Sequence, residues 1–318
     1  MPRLHIFNPE TDYALAAGSP YYTPPASVIK MRKAMALLPL DYANPDDAVL
    51  LLDAGPTDTA NAEIPVYRPD DNVDWTKYEA CPWGWNHQIA HFLNVHCPGL
   101  RGIPSSSQLD EIRNLSHRRT TVQFLKEMDM PGITLPKEIN DIDEAMVYFE
   151  KWRPMFFKAP WSSSGRGVLY TADLTYEQTL QWIRGIIRSQ GAVMAEKAYA
   201  KSLDFATEWT IDPQGTHFIG ISVFEASKRG KYHRNYKGSQ AELWNMIPNL
   251  RTDLIERQRA TINKVIAPCY YGPLGIDMLV TVAGLIHPCI EINLRNTMGS
   301  ILIDHDDHSL FAKFPYLF

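Results

Sequence analysis

The run Gly275-Ile276-Asp277-Met278-Leu279-Val280, then Ala283-Gly284, then Ile290-Glu291-Ile292-Asn293-Leu294-Arg295, decides how the rest of the chain is read. Two strand-like stretches flank a short turn, and the second ends in acid, amide and guanidinium. Glu291 and Asn293 are two apart, so a β-strand presents both on one face, with Asp277 on the neighbouring strand. Carboxylate and amide oxygens suit Mg²⁺, which keeps waters and bridges substrate phosphates, so a nucleotide is implied. Alternation on the exposed face of an antiparallel hairpin would also place polar residues here. Register separates the two. A two-residue turn at Ala283-Gly284 would set Asp277 opposite Ile290 and turn Glu291 to the other face. A metal site therefore requires a three-residue connection or a β-bulge between Leu279 and Pro288. Pro288, lacking an N–H, is a place for the ladder to break.

Upstream, Met155-Phe156-Phe157 leads into Lys158-Ala159-Pro160-Trp161, then Ser162-Ser163-Ser164-Gly165-Arg166-Gly167, and then Val168-Leu169-Tyr170. Small residues between two strands let backbone N–H groups approach phosphate oxygens, and Lys158 offers a cation at the stem. This is not a P-loop, because no Gly-Lys-Ser/Thr follows and no helix opens after the glycines. Alone, such a stretch reads equally as an ordinary Ser/Gly-rich turn.

A third element, Val193-Met194-Ala195-Glu196-Lys197-Ala198-Tyr199 followed by Asp204-Phe205-Ala206-Thr207-Glu208-Trp209, completes the order. Lysine with a glycine-rich loop, an acidic hinge, and Asp followed by Glu-x-Asn on the last two strands resembles the ATP-grasp superfamily, as in D-alanine ligases and biotin carboxylases. The resemblance spans roughly residues 110 to 300. It implies an α/β (α+β) ATP-grasp fold with an N-terminal βαβ-type substrate domain (1–107), a small central lid domain (108–198) and a C-terminal antiparallel-sheet domain carrying the metal site (199–318).

The resemblance also implies roles. Asp277, Glu291 and Asn293 would hold Mg²⁺, with Mn²⁺ as an alternative. Lys158 would reach the ATP phosphates, under the loop residues Ser163, Ser164, Gly165 and Gly167. Glu196, with Lys197 and Tyr199, would read the adenine, and Asp204 the ribose, with Glu208 as its substitute. Arg118 stands where relatives often carry a phosphate-contacting lysine; arginine acts bidentately and with a different reach. Arg295 would stabilise charge on the transferred phosphoryl group or acyl intermediate, and Lys158 and Arg295 are the catalytic candidates. Lys228 to Asn235 reads as a basic loop over the site or a solvated hairpin tip.

The implied activity is that of a ligase joining a small-molecule carboxylate to an amine or other nucleophile through an acylphosphate, releasing ADP and phosphate. A small-molecule kinase would use the same nucleotide site with a stable acceptor. A non-catalytic nucleotide-binding module would keep the hinge and lose metal ligands or Arg295. A homodimer is compatible with any of the three.

Composition agrees with an enzyme of two or three domains: 318 residues, 45% of them hydrophobic, can bury a substantial core. Thirty-one basic against thirty-six acidic residues leave a net charge of −5, without the basic footprint of a nucleic-acid binder. No apolar run reaches membrane-spanning length and the N-terminus lacks a signal-like stretch, so no membrane partner and a cytoplasmic location are expected. Cys81, Cys97, Cys269 and Cys289 form no Cys-x-x-Cys pair and read as reduced thiols.

Apolar runs at 4–7 and 49–52, separated by a helix over 27–38, mark the N-terminal layer. Residues 53–85 read as long loops. Helices are expected over 108–128, over 143–152 behind an Asp141-x-x-Glu144 capping box, and after Thr175-x-x-Gln178. Strands are expected at 192–197, 205–212 and 217–224, the last two joined around Pro213-Gln214-Gly215. Leu254, Ile255, Ile262 and Ile266 mark a final helix stripe. His305-Asp306-Asp307-His308 is not a metal cluster, because adjacent helical residues diverge. Trp83, Trp85 and His87 read as packing. Asn8-Pro9-Glu10-Thr11-Asp12-Tyr13 follows the first strand, where open α/β layers place ligands, and is a candidate substrate contact.

Overall fold

The computed structural model describes residues 1–53, 62–162, 165, 167–227 and 232–303. The chain divides into two compact units, Met1–Arg113 and Asn114–Phe318. In the first, strands β1 (Arg3–Ile6), β2 (Ala48–Leu50), β3 (Val66–Tyr67) and β4 (Glu79–Pro82) form a parallel sheet in the order β3-β2-β1-β4. Leu4, Ile6 and Leu50 pack with Ile89, Leu93 and Trp75 into its core. The stretch 53–85, expected as loops, thus contributes two strands. Its Pro and Asp content hides β4, whose alternation is too short to register yet which pairs along its full length with β1. A helix over Ala26–Ala34 follows the expected one but ends before Leu38, where a 3₁₀ turn begins.

Within the stretch Asn8 to Tyr13, Asn8, Glu10 and Thr11 are tied into this unit's own structure. The Asn8 amide donates to the Gly84 carbonyl (2.8 Å), and Arg32 bridges buried Glu10 (2.5 Å) and Asp53 (2.8 Å at each nitrogen). Burial, first, raises the Glu10 carboxyl above its ordinary range, against the pull of Arg32. These contacts form an internal polar network that ties the residues after β1 to the helix Ala26–Ala34.

The second unit holds two antiparallel sheets. The smaller contains β5 (Lys137–Ile139), β6 (Met155–Lys158), β7 (Val168–Tyr170) and β8 (Val193–Lys197) in the order β5-β8-β6-β7. Helices Ile142–Trp152 and Tyr176–Gln190 cover it through Ala145, Phe149 and Ile183, against Phe157 and Val193. Both start where their caps dictate: Asp141 accepts from the Glu144 N–H, and Thr175 and Gln178 form a reciprocal capping box. The larger sheet contains β9 (Lys201–Asp212), β10 (Gly215–Ala226), β11 (Tyr232–Asn235), β12 (Gly272–Thr281) and β13 (Ile286–Asn293), in the order β11-β10-β9-β12-β13. Helix Thr252–Val265 packs its Leu254, Ile255 and Ile262 stripe inward.

The helix expected over 108–128 is two helices, Ser106–Leu115 and Arg119–Met128. No Gly or Pro breaks it. Instead the His117 ring nitrogen Nδ1 accepts from the Arg119 N–H (2.9 Å) and the Arg118 N–H donates to the Pro160 carbonyl, so side chain and loop take the place of intrahelical partners. The interruption leaves Arg118 just ahead of the second helix with its guanidinium buried.

The hairpin β12–β13 turns through three residues: the Thr281 N–H donates to the Leu285 carbonyl, and Gly284 takes a left-handed φ of 78°. That connection alone would set Asp277 across from Cys289. A bulge at Met278, opposite Pro288, Cys289 and Ile290, moves the pairing by two more residues, so that Asp277 faces Glu291. The break lies one residue nearer Asp277 than expected. Buried Gln258 donates to the Pro288 carbonyl (3.0 Å), satisfying an acceptor at the disrupted ladder.

Candidate active site

Antiparallel partners point to the same face, so the registers of the larger sheet lay the site out in rows. One row runs Gly220, Glu208, Gly275, Asn293; the next Ser222, Ala206, Asp277, Glu291; the third Phe224, Asp204, Leu279, His287. All three metal candidates thus share one face. The Asn293 amide donates to Asp277 Oδ1 (3.3 Å), and its own oxygen accepts from Arg295 (2.8 Å).

The electrostatics of the middle row fit a cation. Burial, then the nearby charges of Glu291 and Glu208, push the Asp277 carboxyl up to about 8, against the weaker pull of Arg295 and Arg118. Two facing carboxylates that cannot comfortably ionise together are the donor set a divalent ion would relieve. Among the described residues no three carboxylate, imidazole or thiol groups converge for a metal. The candidate set is two carboxylates and an amide.

Arg118 ties this row to the loop after β6. Its guanidinium donates to Glu291 (2.7 Å), to the Ala159 carbonyl (3.0 Å) and to Ser162 Oγ (3.1 Å). An arginine, with donors fanned over a planar fork, reaches three acceptors that a lysine could not hold at once. The loop's base closes where the Ala159 N–H meets the Gly167 carbonyl (2.7 Å). A β-carbon on Gly167 would sit 2.3 Å from that of Ser162, so only glycine fits. Gly165 adopts a φ of 72° and lines the cavity beside the middle row. Ser163, Ser164 and Arg166 lie outside the described residues, as do Lys228 to Lys231 and the His305 to His308 stretch.

Lys158, buried at the end of β6, pairs with Glu196 of β8. Lys158 and Glu196 therefore neutralise one another, and a ligand taking up either must break or share that ion pair. Lys197 is exposed, its ammonium 6.0 Å from the Tyr199 ring centroid. The Tyr199 hydroxyl accepts from the Thr134 N–H (2.8 Å), and its ring stands edge-on to His287 at 5.2 Å. Burial first, then the charge of Lys158, lowers the His287 pKa to about 3, so this imidazole is neutral. Asp204 is half-buried and held by Lys201 at 2.5 Å; burial raises its carboxyl, offset by that lysine. The ribose candidate thus carries a lysine partner that its sequence position did not announce.

Glu208 occupies the first row, not the ribose row, and is 1% exposed. Its Oε1 accepts from Ser222 (2.9 Å) and Thr297 (3.0 Å), and Oε2 has no hydrogen-bond partner. Burial lifts its pKa to about 7, against those two hydroxyls and Arg295. It lines a cavity of about 190 Å³ together with Asp277, Glu291, Asn293 and Arg295. Asn235, the end of the stretch read as a basic loop over the site, lies on this wall, with Ser222, Thr297 and Gly299, which the sequence did not single out. Only the polar alternation of β9 (Asp204, then Glu208 four residues on) could have pointed there.

No family model matches the chain, and no curated protein matches it in sequence. Solved structures do resemble it. N5-carboxyaminoimidazole synthetase from Staphylococcus aureus complexed with ADP is 14% identical, with 94% of this chain and 71% of that one covered at a TM-score of 0.55. A biotin carboxylase from Campylobacter jejuni in a β,γ-ATP complex is 13% identical over 91% and 68% at 0.57. D-alanyl-alanine synthetase A from Vibrio cholerae is 16% identical over 99% of both chains at 0.51. These are ATP-grasp enzymes, and this chain has the ATP-grasp fold. No helix among the described residues is long and apolar enough to cross a membrane.

Proposed function

We propose that the protein is an ATP-dependent ligase that joins a small-molecule carboxylate to an amine or other nucleophile. The observation that carries this is the pairing of Asp277 with Glu291, beside Asn293, on the face that Arg118 reaches from the glycine-bearing loop. A substrate carboxylate oxygen attacks the γ-phosphorus of ATP as the bond to the ADP oxygen breaks. The nucleophile, an amine in its unprotonated form, then attacks the acyl carbon, the bond to phosphate breaks, and phosphate carries away the electron pair and takes up the proton the nitrogen loses. Hydroxide is a poor leaving group; phosphate is a good one.

In this proposal Asp277, Glu291 and Asn293 hold Mg²⁺ or Mn²⁺. When bound, the ion would neutralise charge on the phosphate oxygens. Lys158 exchanges its pairing with Glu196 for phosphate, leaving Glu196 to accept from the adenine amino group beside Tyr199. Asp204 takes the ribose, and Arg295 meets charge developing at the transferred group. The loop between Ala159 and Gly167 excludes water from the acylphosphate. We assign 1–107 to substrate binding, 108–198 to the lid and 199–318 to the metal-bearing part, and place the enzyme in the cytoplasm, where its thiols stay reduced.

The test is a screen of carboxylic acids paired with amines, following ADP, AMP and phosphate. ADP and phosphate appearing together only when both substrates are present supports the ligase. AMP rejects it, and ADP without free phosphate makes the protein a kinase.

A further inference from the structure

The cavity beside the metal candidates has a polar wall that the nucleotide does not require. In the proposed arrangement base and ribose lie over the third row, at Asp204 and His287, and the phosphates over the middle row. The first row, Gly220, Glu208, Gly275 and Asn293, lies one step further in the same direction. With the nucleotide in that order, the first row is the part of this face next to the transferred phosphoryl group.

Glu208 is built into that position. A β-carbon on Gly275 would come within 2.8 Å of Glu208 Oε2, and one on Gly299 within 2.4 Å of Oε1, so two absent side chains make room for the carboxylate. Ser222 and Thr297 fix one oxygen and leave the other without a partner. Among the described residues Glu208 does not form a three-group metal cluster with Asp277 and Glu291. One further polar group on the same wall lacks a partner among the described residues: the Nδ2 of Asn235, 5% exposed. Buried polar atoms are almost always paired, so a carboxylate oxygen and an amide nitrogen left unpaired on one cavity wall mark where a ligand's donor and acceptor would fit.

We propose that this cavity is the acceptor subsite and that the nucleophile is a small primary amine carrying an oxygen acceptor, its nitrogen bound by Glu208 and its oxygen by Asn235. This rests on the ligase proposal for the order of the rows. A carboxylate on the cavity floor attracts an ammonium and repels the acid substrate, whose oxygens suit Arg295 instead. The cavity of about 190 Å³ is shared with the metal candidates, so the Glu208 end holds only a few water volumes of about 30 Å³ each, which limits the acceptor to a handful of non-hydrogen atoms.

The experiment uses the full chain and three probes that differ by one group: glycinamide, acetamide without the ammonium, and ethylammonium without the carbonyl. Affinities are read by ligand-observed NMR, with MgADP binding measured in the same samples. Wild-type protein is expected to bind glycinamide about tenfold or more tightly than acetamide. Glu208→Gln, which keeps the shape and the hydroxyl contacts, should erase that ratio. Asn235→Leu should bring glycinamide down to the affinity of ethylammonium while preserving the preference over acetamide. Equal binding of glycinamide and acetamide, no binding of glycinamide at tens of millimolar, or an undiminished ratio in Glu208→Gln overturns the proposal. Should Glu208→Gln fail to fold, the wild-type ratio and Asn235→Leu still decide. Loss of MgADP binding in wild-type protein would instead defeat the nucleotide proposal, whatever the probes do.

Discussion

Replacing Asp277 with asparagine should stabilise the metal-free protein, which is the opposite of what removing a surface acid does. The Asp277 carboxyl ionises near 3.8 when unfolded and is pushed up to about 8 by burial and by the charges of Glu291 and Glu208. Between about pH 4 and pH 8 the unfolded chain therefore holds fewer protons than the folded one, and stability falls as pH rises through that window. The full difference, about four pH units at roughly 1.4 kcal/mol each, would be on the order of 5–6 kcal/mol. Asp277 keeps part of its surface open to the cavity and shares its charge with Glu291, so about half, roughly 2–3 kcal/mol, is expected at pH 8. At roughly 2–4 °C per kcal/mol for a unit of this size, melting should rise by about 5–10 °C.

The assay is urea or thermal unfolding of wild type and Asp277→Asn across that pH range, with chelator and again with Mg²⁺. With chelator, the variant should match wild type near pH 4, exceed it near pH 8, and show a shallower pH slope. Some slope remains, because Glu208, raised to about 7, acts in the same direction. Added Mg²⁺ should raise wild-type stability by mass action and leave the variant largely unmoved. A variant less stable than wild type at pH 8 without metal would refute the electrostatic account of the middle row.

Lys158→Ala should weaken nucleotide binding about tenfold or more, because its cation serves bound and transition states alike, whereas Arg295→Ala should mainly lower kcat. Steady-state kinetics giving both variants the same signature would end that division of roles. Gly167→Ala sets a methyl 2.3 Å from the Ser162 β-carbon and should force the loop base open, lowering nucleotide affinity about tenfold with a small change in melting. Unchanged affinity by calorimetry would show the loop uninvolved. Arg32→Met should destabilise the first unit by about 3–5 kcal/mol in urea, since it strands Glu10 and Asp53 without a cation. A loss under about 1 kcal/mol would mean the network is dispensable.

Much of the site was legible because strands have period two and ligand pairs two apart survive any reasonable guess at strand ends. Glu291 with Asn293 needed only a strand, and the demand that Asp277 face Glu291 forced an irregular hairpin before any register was known. The Thr175 and Asp141 caps were equally local. Features that depend on distant partners were invisible. Helix 108–128 looks continuous because its residues favour helix throughout; what divides it is a His117 side chain and a carbonyl of Pro160, more than forty residues away. Asp204 looked free for ribose because Lys201, three residues back, would point to the other face of a regular strand, and an irregularity at Ser202 brings the two together. The stretch Asn8 to Tyr13 looked like a ligand loop because nothing in its own sequence names Arg32 and Gly84 as its partners.

Glu208 shows why that boundary falls where it does. On a two-sided sheet a glutamate at an alternate strand position is normally a solvated residue, and nothing within β9 distinguishes the two fates. The distinction lies in side chains that are absent: the cross-strand neighbour Gly275, and Gly299 beyond, withhold the β-carbons that would otherwise press on the carboxylate. Polar burial of this kind is costly by itself, as the raised pKa values of Glu208 and Asp277 express. A fold selected for stability alone would replace both acids with apolar residues of similar volume. That the chain instead clears space around one acid, bulges a strand to aim another, and leaves buried polar atoms unpaired between them among the described residues supports the proposed ligands of the row, a cation at Asp277 and a hydrogen-bond donor at Glu208.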